Sequence, residues 1–293
     1  MIVTLKNEFL TVQIDQKGAQ LCSVSTPDAV EYIWQADPAI WGRHAPLLFP
    51  VIGRLKDGRY TLEDKTFEIS MHGFARDSLF TVAQQSDTQV VFQLTDSPET
   101  LAMFPFPFLL SVTFTLDGKK LTKTCTVENR SNSTMYYELG NHDGFNAPLA
   151  PGETMDDYAV VLPGLDVLEP YGMDETGMLH PKGERSIPLT DHKVALKPAV
   201  YGLDTVVVDQ LPQNRVMLVD KSGMARITLD FPNYPYLGIW TQDKPFDTNY
   251  VCLEPWSTLP DCSFVGRGLS EKAGIRVLEA GKGESLTYSV MFD

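Results

Sequence analysis

The sequence predicts an all-β protein, and three observations predict it. Apolar and polar residues alternate in segment after segment, the period expected of strands with one buried face. Short turn signals separate those segments at hairpin distances. No long window sustains a helical stripe with caps at its ends.

Taken in order, the alternating runs are Leu10, Val12, Ile14, then Val90, Phe92, Leu94, then Val112, Phe114, Leu116. Ile227, Leu229, Phe231 and Leu286, Tyr288, Val290, Phe292 follow toward the C-terminus. Lys6-Asn7, Asp57-Gly58, Asp117-Gly118, Ser222-Gly223 and Gly281-Lys282-Gly283 read as the turns of hairpins. Pro98 to Phe104 suits one short helical turn, and the irregular stretch from Ala147 to Pro198 suits elaborated loops on a large sandwich. No repeat, linker or low-complexity tract divides the chain, so a single domain is expected over residues 1–293.

Hydrophobic residues make up 43% and charged residues 21%, enough apolar material for a sizeable core and too much for disorder. A net charge of −14 repels phosphate backbones and anionic bilayers, which argues against nucleic-acid and membrane partners. Apolar runs such as Met103 to Val112 are short and broken by Pro105 and Pro107, unlike a membrane span. The N-terminus MIVTLKNEFLTVQID has no basic segment followed by an apolar one, so the expected location is the cytoplasm. Cys22, Cys125, Cys252 and Cys262 have no CxxC spacing and are expected as reduced, mostly buried thiols, a Cys252–Cys262 disulfide being the lesser alternative.

The sequence lacks GxxxxGK[ST], GxGxxG, HExxH and GxSxG, which removes local support for nucleotide, zincin and nucleophile-elbow sites. Histidine and carboxylate chemistry remains. His72 sits in Met71-His72-Gly73-Phe74-Ala75-Arg76 and His142 in Gly140-Asn141-His142-Asp143-Gly144-Phe145-Asn146, where neighbouring glycines allow close approach of a ligand. Glu254 ends the apolar run Tyr250-Val251-Cys252-Leu253 before Pro255-Trp256, where partial desolvation would raise its pKa toward that of a general base. Trp41, Trp240, Trp256 and Phe145 could present flat faces to a sugar ring. Arg54 and Arg76 could fork onto hydroxyls or a phosphate, and Asp204 could accept from a hydroxyl. Taken singly, each has a plain structural alternative: a turn histidine, a solvated edge glutamate, a core aromatic, a surface ion pair, a capping aspartate.

Together the segments resemble the aldose 1-epimerase (galactose mutarotase) family, and within it the LacX-like bacterial branch, along essentially the whole chain. The resemblance rests on four motifs in order: Arg54 after a Phe-Pro-x-x-Gly stretch, His72 and Arg76 in HGFAR, Asn141-His142 with Phe145-Asn146, and Leu253-Glu254-Pro255-Trp256 with Pro260-Asp261. It implies a large galactose-mutarotase-like β-sandwich, or supersandwich, whose concave sheet binds a sugar. It implies Glu254 as the base at the C1 hydroxyl, His142 as the acid at the ring oxygen and His72 as a second, orienting donor. Substrate contacts are implied for Arg54, Arg76, Asn141, Trp256 and, more loosely, Asp204.

No metal or other cofactor is implied, because ring opening needs only a proton acceptor and a proton donor. The implied partner is a small-molecule sugar or sugar phosphate, with a homodimer open as the mode of self-association. Gly144 and Leu55-Lys56 depart from the galactose mutarotase pattern, and HGFAR is shared with hexose-6-phosphate epimerases, so the sugar stays open. Three functional readings stand beside one another: a hexose mutarotase, a hexose-6-phosphate 1-epimerase, and a non-catalytic sugar-binding module. A glycosidase ranks lower, since it needs a second carboxylate across the bond.

Overall fold

Two antiparallel sheets carry the architecture of a computed structural model that describes residues 1–242 and 248–293. The larger has nine strands, in the order Lys193–Val194, Tyr158–Val161, Arg215–Asp220, Ala225–Asp230, Gly283–Phe292, Lys120–Asn129, Phe108–Asp117, Gln89–Thr95 and Thr81–Gln85. Its centre is the hairpin of Phe108–Asp117 and Lys120–Asn129, turned at Gly118-Lys119, one residue beyond the expected start, and flanked by Gly283–Phe292. Val112, Phe114 and Leu116 from one strand and Leu286, Tyr288, Val290 and Phe292 from another are all buried. This is the inward half of the alternation read from the sequence.

The second sheet has six strands. Val206–Asp209, Tyr236–Trp240, Tyr250–Trp256, Gly140–Asn141 and Leu47–Leu48 pair in that order, and Asp143–Asn146 also pairs with Tyr250–Trp256. One hydrophobic core draws side chains from both sheets, from Val3 to Phe292. Tyr250–Trp256 lies in the middle of its sheet with all seven residues buried, which explains its near-continuous apolar run.

Three expectations change. Asp57-Gly58 is not a hairpin turn but part of a short 3-10 turn leading into Arg59–Leu62; the hairpin with Lys65–Glu68 turns at Glu63-Asp64, Glu63 having φ of 52°. Gly281-Lys282-Gly283 joins Arg276–Leu278 to Gly283–Phe292, strands that lie in different sheets. Glu254 does not end its strand but occupies the fifth of seven positions. The helical turn expected from Pro98 is an α-helix over Pro98–Met103, capped by Ser97 through Thr100. From residue 147 to 198 the chain is mostly loops and two-residue strands, as expected, but it also supplies the four-residue strand Tyr158–Val161 to the larger sheet. All four cysteines are free, Cys22 partly and the others fully buried. No helix among the described residues is long and apolar enough to cross a membrane.

Candidate active site

The central strand of the six-stranded sheet presents Glu254 to a pocket of about 530 Å³. Gly140 pairs with Trp256 and Asp143 with Leu253; in that constant register His142 falls opposite Glu254. Neighbours on opposed strands share a face, so imidazole and carboxyl meet, His142 Nε2 standing 3.4 Å from Glu254 Oε1. Glu254 is 1% exposed, which removes the solvated-edge alternative.

His72 arrives from a loop. Its N–H donates to Gly53 O at 2.8 Å, and its Nδ1 accepts from Gly53 N–H at 3.1 Å, which leaves the proton on Nε2. The residue sits at φ 65°, and the next, Gly73, at φ 71°; a Cβ on Gly73 would stand 2.2 Å from Phe49 O. Only glycine lets the two loops come that close. The rings of His72 and His142 meet edge to face with centroids 5.6 Å apart. Trp41 stacks on His142 at 5.0 Å and Trp240 meets its edge at 5.5 Å, so the imidazole is walled by indoles.

Desolvation governs the titration of this group. Burial pushes Glu254 well above the ordinary carboxyl range, and the negative charges of Asp143 and Asp204 add to it; the nearby Trp256 indole N–H opposes the shift. Burial pulls His142 down to about 3, with Arg76 and Arg43 contributing. His72 lies well below its usual value, again first by burial and then by His142, Arg76, Arg43 and Arg54. Burial thus disfavours carboxylate with imidazolium, relative to carboxylic acid with neutral imidazole, in the ligand-free pair.

Seven of the eight side chains expected at the site line the same pocket: His72, His142, Glu254, Arg54, Arg76, Asp204 and Trp256. Asn141 does not line it. Being one residue before His142 on the strand, it faces the sandwich interior, fully buried. The pocket also takes in residues the sequence reading did not assign, above all Arg43 and Gln242. Arg43 follows Trp41 by two positions, and that pairing of an aromatic with a cation in one loop was the available signal. Asp77 accepts from Arg43 at 3.1 Å and faces Arg76 Nε at 3.5 Å, so one carboxylate orders two of the three arginines.

Lys272, almost fully buried, pairs with Glu138 at 3.0 Å and with Asp261, and Asp261 also accepts from Lys56 N–H at 2.7 Å. Glu138 takes the Ile52 N–H at 2.5 Å. These bonds fasten the loop that carries Gly53 and Arg54 to the segment after Trp256. Cys252 Sγ lies with the donors of His142 and Glu254, all within 4.8 Å of one another. Burial, with the negative charges of Glu254 and Asp143, holds that thiol well above its ordinary range.

The six-stranded sheet of an all-β sandwich thus gathers a buried carboxyl, two imidazoles and aromatic walls around one pocket, groups able to exchange protons with a small bound ligand. Residues 1–277 match the aldose 1-epimerase family model. The LacX protein encoded on the chromosome of Lactococcus lactis subsp. lactis is 32% identical over 279 residues, 93% of each chain. A galactose mutarotase related enzyme from Lactobacillus acidophilus superposes with a TM-score of 0.91 at 32% identity, covering 100% of this chain and 97% of the other. A galactose mutarotase-like protein from Lactobacillus casei gives 0.88 at 30% identity with both chains wholly covered. The chain belongs to the aldose 1-epimerase family: it has the galactose-mutarotase-like fold and is an isomerase of the mutarotase kind.

Proposed function

We propose that this pocket interconverts the α and β anomers of a hexose or hexose derivative by opening and reclosing the hemiacetal ring. The observation that carries the reading is the 3.4 Å approach of His142 Nε2 to Glu254 Oε1 inside one pocket. The C1 hydroxyl and the ring oxygen are bonded to the same carbon, so their proton acceptor and donor must be neighbours. Glycosidases instead hold two carboxyl groups about 5 Å or more apart across the bond they cleave.

Glu254 takes the proton of the C1 hydroxyl while His142 delivers one to the ring oxygen; the C1–O5 bond breaks and the C1 carbonyl forms. Rotation about C1–C2 turns the other face of the aldehyde to O5, and the same two transfers run backward to close the ring. Each half-reaction moves the pair between carboxylate with imidazolium and carboxylic acid with imidazole. Burial favours the neutral form, and a sugar hydroxyl donating to Glu254 offsets that preference when substrate binds. His72, with its Nε2–H free, orients the sugar as a donor. Trp41 and Trp240 supply apolar faces against its C–H surface.

A second reading, a sugar 6-phosphate as substrate, is favoured by Arg43, Arg54 and Arg76 lining one pocket. Arg54 makes no ion pair among the described residues, which leaves its guanidinium available to an anion. An anomer-exchange panel by NMR with glucose, galactose and their 6-phosphates decides. Acceleration of any of them above the uncatalysed rate supports the mutarotase, and response of the phosphates alone supports the second reading. Saturable binding with no acceleration of any sugar would leave a binding module.

A further inference from the structure

Behind the proton-transfer pair, on the inner face of the same two strands, lies a second polar group that the reaction described above does not use. Asp143 follows His142 and pairs in register with Leu253, the residue before Glu254, so both point away from the pocket and into the sandwich. Asp143 is completely buried. Across the core the nine-stranded sheet sends two side chains toward it. Tyr288 donates its hydroxyl to Asp143 Oδ2 in a short hydrogen bond. Lys123, at an inward position of Lys120–Asn129, is 1% exposed, with its ammonium 5.5 Å from the Phe114 ring centre and 5.8 Å from that of Tyr288.

These groups are expensive. An ammonium and a carboxylate buried in an apolar interior lose more hydration than their attraction returns unless the geometry is close to ideal. Among the described residues, Lys123 Nζ and Asp143 Oδ1 each lack a direct hydrogen-bond partner. The amide of Asn141 and the hydroxyl of Tyr234, which adjoin each other, are equally unpartnered. A pair of apolar residues of the same size would pack these positions at lower cost. Stability therefore gives no reason for the group, and its position supplies one.

We propose that Lys123 and Asp143 are positioning residues for the His142–Glu254 pair, holding the strand Asp143–Asn146 through Tyr288 and setting, by their balanced charges, the ease with which Glu254 gives up its proton. The proposal rests on the reading of His142 and Glu254 as the proton-transfer pair. The titratable groups that interact with Asp143 are Lys123 and Cys125 from Lys120–Asn129, Tyr288 from Gly283–Phe292 and Tyr234 from the turn before Tyr236–Trp240 on the inner side, and Cys252 and Glu254 on the opposite face of the adjoining strand. Lys123 is the single cation of the set. With Lys123 present, the carboxylate of Asp143 is compensated; without it, a bare negative charge stands behind Glu254. A unit charge at this remove in a protein interior shifts a proton affinity on the order of tenfold, or about one pH unit.

The test uses the full chain as Lys123→Met, Asp143→Asn and the double variant, with circular dichroism to establish folding. Two readouts are taken: the pH profile of anomer exchange, and the titration of the Glu254 carboxyl followed by carbon NMR in ligand-free protein, which needs no turnover. Asp143→Asn leaves Lys123 unopposed and should move the Glu254 titration toward acid by about one unit. Lys123→Met leaves the Asp143 carboxylate uncompensated and should move the Glu254 titration toward alkali. The double variant should return the titration close to that of the native chain while kcat stays lowered and KM changes little, because the strand has lost the charged acceptor of the Tyr288 hydroxyl. Folded single variants with unshifted Glu254 titration, or a double variant with native kcat, would overturn the proposal. A native chain that accelerates no sugar would instead overturn the reading of the pair, and the carboxyl titration would still decide whether Lys123 and Asp143 govern Glu254.

Discussion

Replacing Glu254 with glutamine preserves the shape of the side chain and removes a single property, the capacity to take a proton. General-base catalysis contributes about 10²–10⁴-fold, so the variant should lose roughly 2.7–5.4 kcal/mol of barrier lowering. Anomer exchange should fall by that factor while the pocket still binds sugar. Stability should move the other way. Burial raises the folded-state pKa of Glu254 well above its ordinary value. A carboxyl of this kind contributes fully to stability below the unfolded value of about 4.3, and the contribution is lost as pH rises toward the folded value. Each unit of elevation costs about 1.4 kcal/mol of stability once the pH exceeds the folded value. Glutamine has no such loss, so Glu254→Gln should melt above the native chain at pH 8, with the gap closing near pH 4. Thermal melts across that range read the effect directly. A fully active variant, or a melting difference that does not vary with pH, would refute the account of Glu254 as a desolvated base.

His142→Asn should abolish anomer exchange to a similar degree; in the native chain the acid limb should lie near pH 3 rather than near 6.5, because burial pulls His142 down to about 3. A pH profile falling steeply between 7 and 6 would contradict this. Gly73→Ala places a methyl group against Phe49 O at a positive φ, and should cost roughly 2–4 kcal/mol in urea unfolding with a further loss of kcat from displaced His72. Arg54→Ala should raise KM for a sugar 6-phosphate at least tenfold, on the order of 1.4 kcal/mol, and leave the free sugar unchanged; equal effects on both would assign Arg54 to the sugar itself.

Much of this molecule was legible in its sequence because the physics involved is local. Alternation in Val112, Phe114, Leu116 and in Leu286 to Phe292 marks an inward face whatever the strands' partners, since side-chain direction has a period of two residues. Gly118, at φ 56°, opens the two-residue turn Gly118-Lys119 that closes a hairpin within one residue of where the sequence put it. The same local turn chemistry failed at Gly281-Lys282-Gly283, because a turn does not determine which sheet receives the next strand. His72, His142, Arg54, Arg76, Asp204, Glu254 and Trp256 could be named from motif order, yet nothing local says that they share a pocket.

Tertiary structure alone decided the rest. Asn141 and His142 are neighbours in the chain, but pleating sends one into the core and the other to the pocket. Arg43 joined the site by way of the loop whose Trp41 stacks on His142. Lys123 reads in sequence as one more lysine of a polar strand, and only the packing of one sheet on the other brings it, buried, to Asp143. The proton affinities of Glu254 and His142 are likewise set by the water that folding excludes, and exclusion is a property of everything packed around them rather than of the two residues themselves.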